Sequence, residues 1–295
     1  MIKKWMYLAV GIAMSLATPA LSAGNDKAAP SVAAPGYTLP STHMWDMAAD
    51  NGEIYRIFVS FPGTEMPADG YPVLYVLDGN AMFAAFAEAR RIQEYSEVGK
   101  GIVVGVGYPG DLAYDVRRLD DYTPPLIDPP PANVRHLAKY KSGGRDRFLD
   151  FLTGRLRTEI ARRYKVNAER QSLFGHSLGG LLALHALYTR PQAFHSIIAA
   201  SPSLEWNDQG VLADERVFTE RMTSGKIGKT SRLMVVVGGR DIDDEPGPAI
   251  AFVKRMEALS GHGLRLRFRL YEEEGHMTVP VRAVPDTLRF VFEVH

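Results

Sequence analysis

The chain has 295 residues, 46% of them hydrophobic, and 34 basic residues balance 34 acidic ones. That length fits one α/β domain with a sizeable core, and without a basic excess nucleic acid is excluded as a partner. There is no cysteine, which excludes disulfides, a thiol nucleophile, cysteine metal sites and a lipid-modified N-terminal cysteine.

Residues 1–23 read as a secretory signal: Lys3 and Lys4 form a positive start, residues 5–17 an apolar run, and Leu21-Ser22-Ala23 a small-residue cleavage site. The apolar run is shorter than the roughly 20 residues of a membrane span; left uncleaved, it would be an N-terminal membrane anchor. Export to the periplasm is expected. Residues 24–36, rich in Ala, Pro and Gly, form a spacer, and residues 37–295 form the domain.

Residues 53–61 alternate apolar and polar and predict an outer strand. PVLYVL at 72–77 is a continuous apolar run, the mark of a strand buried on both faces of a parallel sheet. The turn Asp78-Gly79-Asn80 and a helix to about residue 96 follow, then GIVVGVG at 101–107, a second buried strand. Residues from about 111 to 144 break this rhythm with Pro124, Pro125 and Pro129 to Pro131, and the proline density predicts an irregular loop. Helical spacing returns over 144–164. A short apolar run then leads into Gly175-His176-Ser177-Leu178-Gly179 and a Leu/Ala-rich helix that stops before Pro191. Short strands at 197–201 and 233–237, a helix at 248–259, an Arg-rich strand at 264–271 and a last amphipathic helix at 279–294 complete the chain. Strands alternating with helices predict a mostly parallel, doubly wound sheet with helices on both faces.

A strand, then G-x-S-x-G, then a helix is the setting of a nucleophile elbow, which makes Ser177 the candidate nucleophile. In the α/β-hydrolase order an acid and a histidine follow, each just past a strand. Asp241 and His276 occupy those places. A neutral imidazole can take the serine proton near pH 7, and a carboxylate can hold the ring in the correct tautomer. His176 is expected to point elsewhere from the sharp turn. Asp243, Asp244 and Glu245 crowd the loop of Asp241, and residues 272–274 are all Glu, so the acid stays open between them. Two backbone N–H donors are needed for the developing oxyanion; Leu178 is expected to supply one and Asn80 the other, unless 78–80 is a plain turn.

The chain also resembles the esterase-D-like α/β hydrolases, and within them the siderophore trilactone esterases. The resemblance lies in YPVLYVLDGNAMF, GIVVGVGYP, RRLDDYTPP, GGRDRFLDFL, LFGHSLGGLLALHALY, ASPSLEWN and EEGHMTVP, spread over residues 71–280. It implies an α/β-hydrolase fold, no metal or organic cofactor, Ser177 and His276 as the catalytic pair, Arg118 or Arg117 on anionic substrate oxygens, and Trp206 facing aromatic acyl groups. The implied substrate is the ester backbone of an enterobactin-type catecholate siderophore, with or without iron. Family members tend to carry tryptophan where Glu205 stands, and a carboxylate there would repel a polyanionic ferric catecholate. Some relatives work with serine and histidine alone, which leaves Asp241 open. An esterase for another acyl ester or thioester such as S-formylglutathione, and a siderophore-binding protein without turnover, are the alternatives.

Overall fold

The fold is described from a computed structural model covering residues 37–63, 66–228, 230–241 and 247–293. The chain divides into Met1–Thr38 and Leu39–His295, and every described strand and helix lies in the second unit. The signal and spacer at 1–36 lie outside the described residues, as do Asp243, Asp244 and Glu245.

The apolar runs become the middle of one eight-stranded sheet. Its strands are β1 (Thr42–Ala48), β2 (Ile54–Ser60), β3 (Tyr71–Leu77), β4 (Ile102–Gly107), β5 (Val166–His176), β6 (Ser196–Ala200), β7 (Arg232–Arg240) and β8 (Leu266–Gly275). The order is β1-β2-β4-β3-β5-β6-β7-β8; β2 pairs antiparallel with β1 and β4, and every other pair is parallel. Successive residues of a strand point to opposite faces, so Val73, Tyr75 and Leu77 enter one core while Leu74 and Val76 enter the other. The second core is closed by α1 (Gly79–Arg91) together with α8 (Val279–Arg282) and α9 (Val284–Phe292). The expected single C-terminal helix is therefore broken, and Pro285 stands at the start of its second part.

The first core holds the remaining helices: α2 (Arg118–Tyr122), α3 (Arg145–Phe151), α4 (Arg157–Arg163), α5 (Leu178–Thr189), α6 (Val211–Thr223) and α7 (Gly247–Glu257). A π-helical turn at Leu152–Leu156 joins α3 to α4, so residues 145–163 are helical throughout, as the spacing predicts. Leu178 to Tyr188 in α5 are all buried, which is why this helix reads as apolar on every side.

Three elements depart from the sequence reading. β1 lies outside β2, so β2 is not the outermost strand; β1 is half exposed and its sequence, THMWDMA, alternates poorly. α6 buries Val211, Glu215, Phe218 and Met222, and the charge within that stripe hides its helical period. Glu215 is tolerated there because Arg255 grips both carboxylate oxygens, at 2.5 and 2.9 Å. α2 lies inside the segment expected to be irregular, because the prolines begin only after it, at Pro124.

The 111–144 segment is tied down rather than loose. Asp121 of α2 accepts hydrogen bonds from Tyr55 (2.9 Å) and Tyr108 (3.1 Å), and burial pushes its carboxyl up to about 6. Gly144 N–H closes the segment on the Asp120 carbonyl at 2.8 Å. Phe148 packs under this knot, with its ring centroid 5.1 Å from Tyr55 and 5.4 Å from Tyr122. Phe148→Ala should therefore cost about 3–5 kcal/mol of stability, read as a lowered urea midpoint; a loss below about 1 kcal/mol would show that the cluster does not anchor the loop.

Candidate active site

β5 ends at His176, α5 starts at Leu178, and Ser177 between them has φ 58 and ψ −119. A non-glycine residue in such a conformation carries about 1–3 kcal/mol of strain, held by its surroundings. Three hydrogen bonds hold it: Ser177 N–H donates to the Ala200 carbonyl (3.0 Å), and the Ser177 carbonyl accepts from Ser203 (3.2 Å) and Leu181 (3.0 Å). Gly175 makes the turn fit, because a Cβ there would fall 2.0 Å from the Gly179 carbonyl oxygen.

Asp241 and His276 follow the last residues of β7 and β8, and the register Arg240↔Gly275 brings them side by side. His276 Nδ1 lies 2.7 Å from Asp241 Oδ1, with both side chains mostly buried. A carboxylate can only accept, so Nδ1 carries the proton and Nε2 is left as a base. The structure thus brings Asp241 to the ring. Glu273, one of the rival acids, is engaged by Arg240 at 2.5 Å. Ser177 Oγ lies 3.2 Å from Ser203 Oγ, and a catalytic serine–histidine hydrogen bond is often made only with substrate bound. Ser203 was not marked by its residue type, and only its position in SPSLEWN hinted at it.

His176 points away from the nucleophile, as expected, and meets the histidine loop. Its Nε2 lies 2.8 Å from the His276 carbonyl oxygen, and the two rings stand with centroids 4.7 Å apart. Burial first, then the charges of His276 and Arg118, pull its pKa down to about 3.

The turn after β3 faces the nucleophile turn: a Cβ on Gly179 would lie 3.5 Å from Asp78 Oδ2. Leu178 is the first residue of α5 and Asn80 the second of α1, so neither N–H has a carbonyl four residues back within its helix. The Asn80 side chain fixes its turn by accepting from Tyr108 N–H (2.8 Å) and donating to the Tyr108 carbonyl (3.0 Å). Two helix N-termini thus open at the same end of adjacent strands, the arrangement an oxyanion hole requires.

The residues implied for substrate contact each have partners within the protein. Arg118 forms a two-pronged pair with Asp78 (2.8 and 2.9 Å) between the rings of Tyr114 and Tyr122, so its charge is already matched beneath the site. Arg117 binds Glu53 (2.8 Å) and the Ile54 carbonyl (2.9 Å) at the start of β2, three strands from β5. Trp206 is enclosed in the core with Leu204 and Val211, only 3% exposed, and its indole N–H has no acceptor among the described residues. Glu205, beside it, is exposed; desolvation raises its carboxyl pKa, and the charges of His276 and Asp241 act on it.

Comparison with known proteins agrees with this geometry. The family model "Putative esterase" matches residues 49–262. The ferri-bacillibactin esterase BesA of Bacillus subtilis (strain 168) is 34% identical over 265 residues, covering 86% of this chain and 90% of that protein. The siderophore triacetylfusarinine C esterase of Aspergillus fumigatus is 41% identical over 192 residues, 62% of each chain. Among solved structures, the BES protein from Bacillus cereus superposes with a TM-score of 0.78 at 32% identity, covering 89% of this chain and all of that one.

Asp241→Asn should lower kcat on a simple ester by as much as about 10⁴-fold with KM little changed, through the wrong ring tautomer. Glu273→Gln serves as the control and should be nearly silent. A loss of less than about tenfold at Asp241 would mean that the ring is held without it.

Proposed function

The chain belongs to the esterase family, and from that premise we propose that Ser177, His276 and Asp241 hydrolyse the ester backbone of a siderophore, with an enterobactin-type trilactone as the leading substrate. The chain is a carboxylic-ester hydrolase of the α/β-hydrolase fold. The observation that carries the catalytic reading is the 2.7 Å Asp241–His276 contact at the mouth of the strained Ser177 turn.

In this reading His276 Nε2 takes the Ser177 proton as Oγ attacks the ester carbonyl. The tetrahedral oxyanion is received by the N–H groups of Leu178 and Asn80. His276 then gives its proton to the departing alcohol oxygen, leaving an acyl group on Ser177. Water, deprotonated by the same ring, releases the acid and restores the serine. The ester bond breaks, water is consumed, and no electron changes hands.

Two relatives named as esterases of siderophores support the substrate class. The charge at the site refines it. Arg118, the cation that the resemblance aims at anionic oxygens, is matched by Asp78, whereas Glu205 is an exposed carboxyl within electrostatic reach of His276 and Asp241. That balance favours an uncharged, iron-free siderophore over a polyanionic ferric complex. The signal-like start at residues 1–23 supports export, with the periplasm as the compartment.

Incubation with an enterobactin-type trilactone should give the linear trimer, dimer and monomer, and Ser177→Ala or His276→Ala should stop it. The ferric complex should turn over about tenfold more slowly at low salt, a gap that narrows in Glu205→Gln and at high ionic strength. Turnover of simple esters without cleavage of any trilactone would reject the substrate and keep the reaction class. Failure of a fluorophosphonate probe to label Ser177 would favour the binding-protein alternative.

A further inference from the structure

His176 belongs to the nucleophile turn by sequence and to the histidine loop by contact. It ends β5 with 2% of its surface exposed, and its Nε2 lies 2.8 Å from the His276 carbonyl oxygen. A carbonyl can only accept, so Nε2 must carry the hydrogen. Nδ1 is then bare, and it is buried without a partner. The loop is also held by the pairing of Gly275 with Arg240 of β7 and by two local bonds, Gly275 N–H to Thr278 Oγ1 (3.0 Å) and Thr278 N–H to the Gly275 carbonyl (3.2 Å). Asp241 contacts the His276 ring, and His176 contacts the main chain from which that ring hangs.

We propose that His176 is a positioning residue for the base: by donating Nε2–H to the His276 carbonyl it sets where the His276 ring stands relative to Ser177. The inference deepens the catalytic reading of Ser177 and His276 and rests on it.

Histidine suits the task for two reasons. Its ring is rigid, and it reaches from the end of β5 to the loop after β8, across two intervening strands, β6 and β7. It also stays neutral. The groups acting on it are His276, Arg118 and Asp241; burial outweighs the carboxylate, so no charge opposes the imidazolium that forms on His276 during attack. A lysine or arginine at 176 would put a fixed cation against it.

His176→Gln keeps an N–H donor near the Nε2 position, whereas His176→Leu keeps bulk and removes the donor. On a p-nitrophenyl ester, His176→Leu should lower kcat by up to about 100-fold, the scale of an ångström-sized misplacement, with KM almost unchanged. His176→Gln should restore most of that loss, and fluorophosphonate labelling rates should follow kcat. In wild-type protein labelled with ¹⁵N-histidine, one ring should show protonated Nε2 and bare Nδ1, with no titration between about pH 5 and 9. A folded His176→Leu enzyme with wild-type kcat overturns the proposal. Equal damage by both substitutions overturns it too, because it would mark a packing role. Should neither variant fold, an Nδ1–H tautomer or a titrating ring in the wild type decides against it. Ser177→Ala that retains turnover would instead defeat the underlying reading, and the proposal with it.

Discussion

The carboxyl end of the sheet depends on one backbone constraint: Ser177 is held in a conformation that serine avoids. The turn is so tight that Gly175 and the Gly179 carbonyl leave no space for a side chain between them. Three hydrogen bonds, to Ala200, Ser203 and Leu181, keep the strained residue in place. Because those partners come from the end of β6, the loop after it and α5, the serine is located by three elements at once. The strain of roughly 1–3 kcal/mol is affordable only because the surrounding core over-determines the turn.

Charge is handled locally around that turn. Asp78 and Arg118 match each other under the nucleophile, and Asp121 is satisfied by two tyrosine hydroxyls on the far side of α2. Removing one member of a buried pair costs about 3–5 kcal/mol, more than the pair itself contributes. These groups therefore form a rigid floor beneath the site. His176, buried beside them, meets the His276 carbonyl.

Most of this was legible in the sequence where a single run of residues carried the signal. PVLYVL, GIVVGVG and LMVVV read as buried strands because both of their faces are apolar. Ser177, Asp241 and His276 could be marked because each directly follows a strand. What stayed hidden depends on partners far along the chain. Arg118 reads as a free cation until Asp78, forty residues earlier, is folded against it. Trp206 reads as a substrate-facing ring until the core closes around it. α6 was missed because Glu215 occupies a core position that only Arg255 makes acceptable. The contact of His176 with His276 spans one hundred residues, and no local pattern announces it.

Among the described residues β1 and β8 are the outer strands of the sheet, and both are charged. β1 carries His43 and Asp46, with Asp46 bound across the pair to Arg56 at 2.8 Å. β8 carries Arg267, Arg269 and three successive glutamates, Glu272 to Glu274. A second chain adding a strand to either edge would have to lay its backbone among these ions and desolvate them. The Arg-rich alternation of β8, which plays no part in the chemistry, thus works against edge-to-edge aggregation.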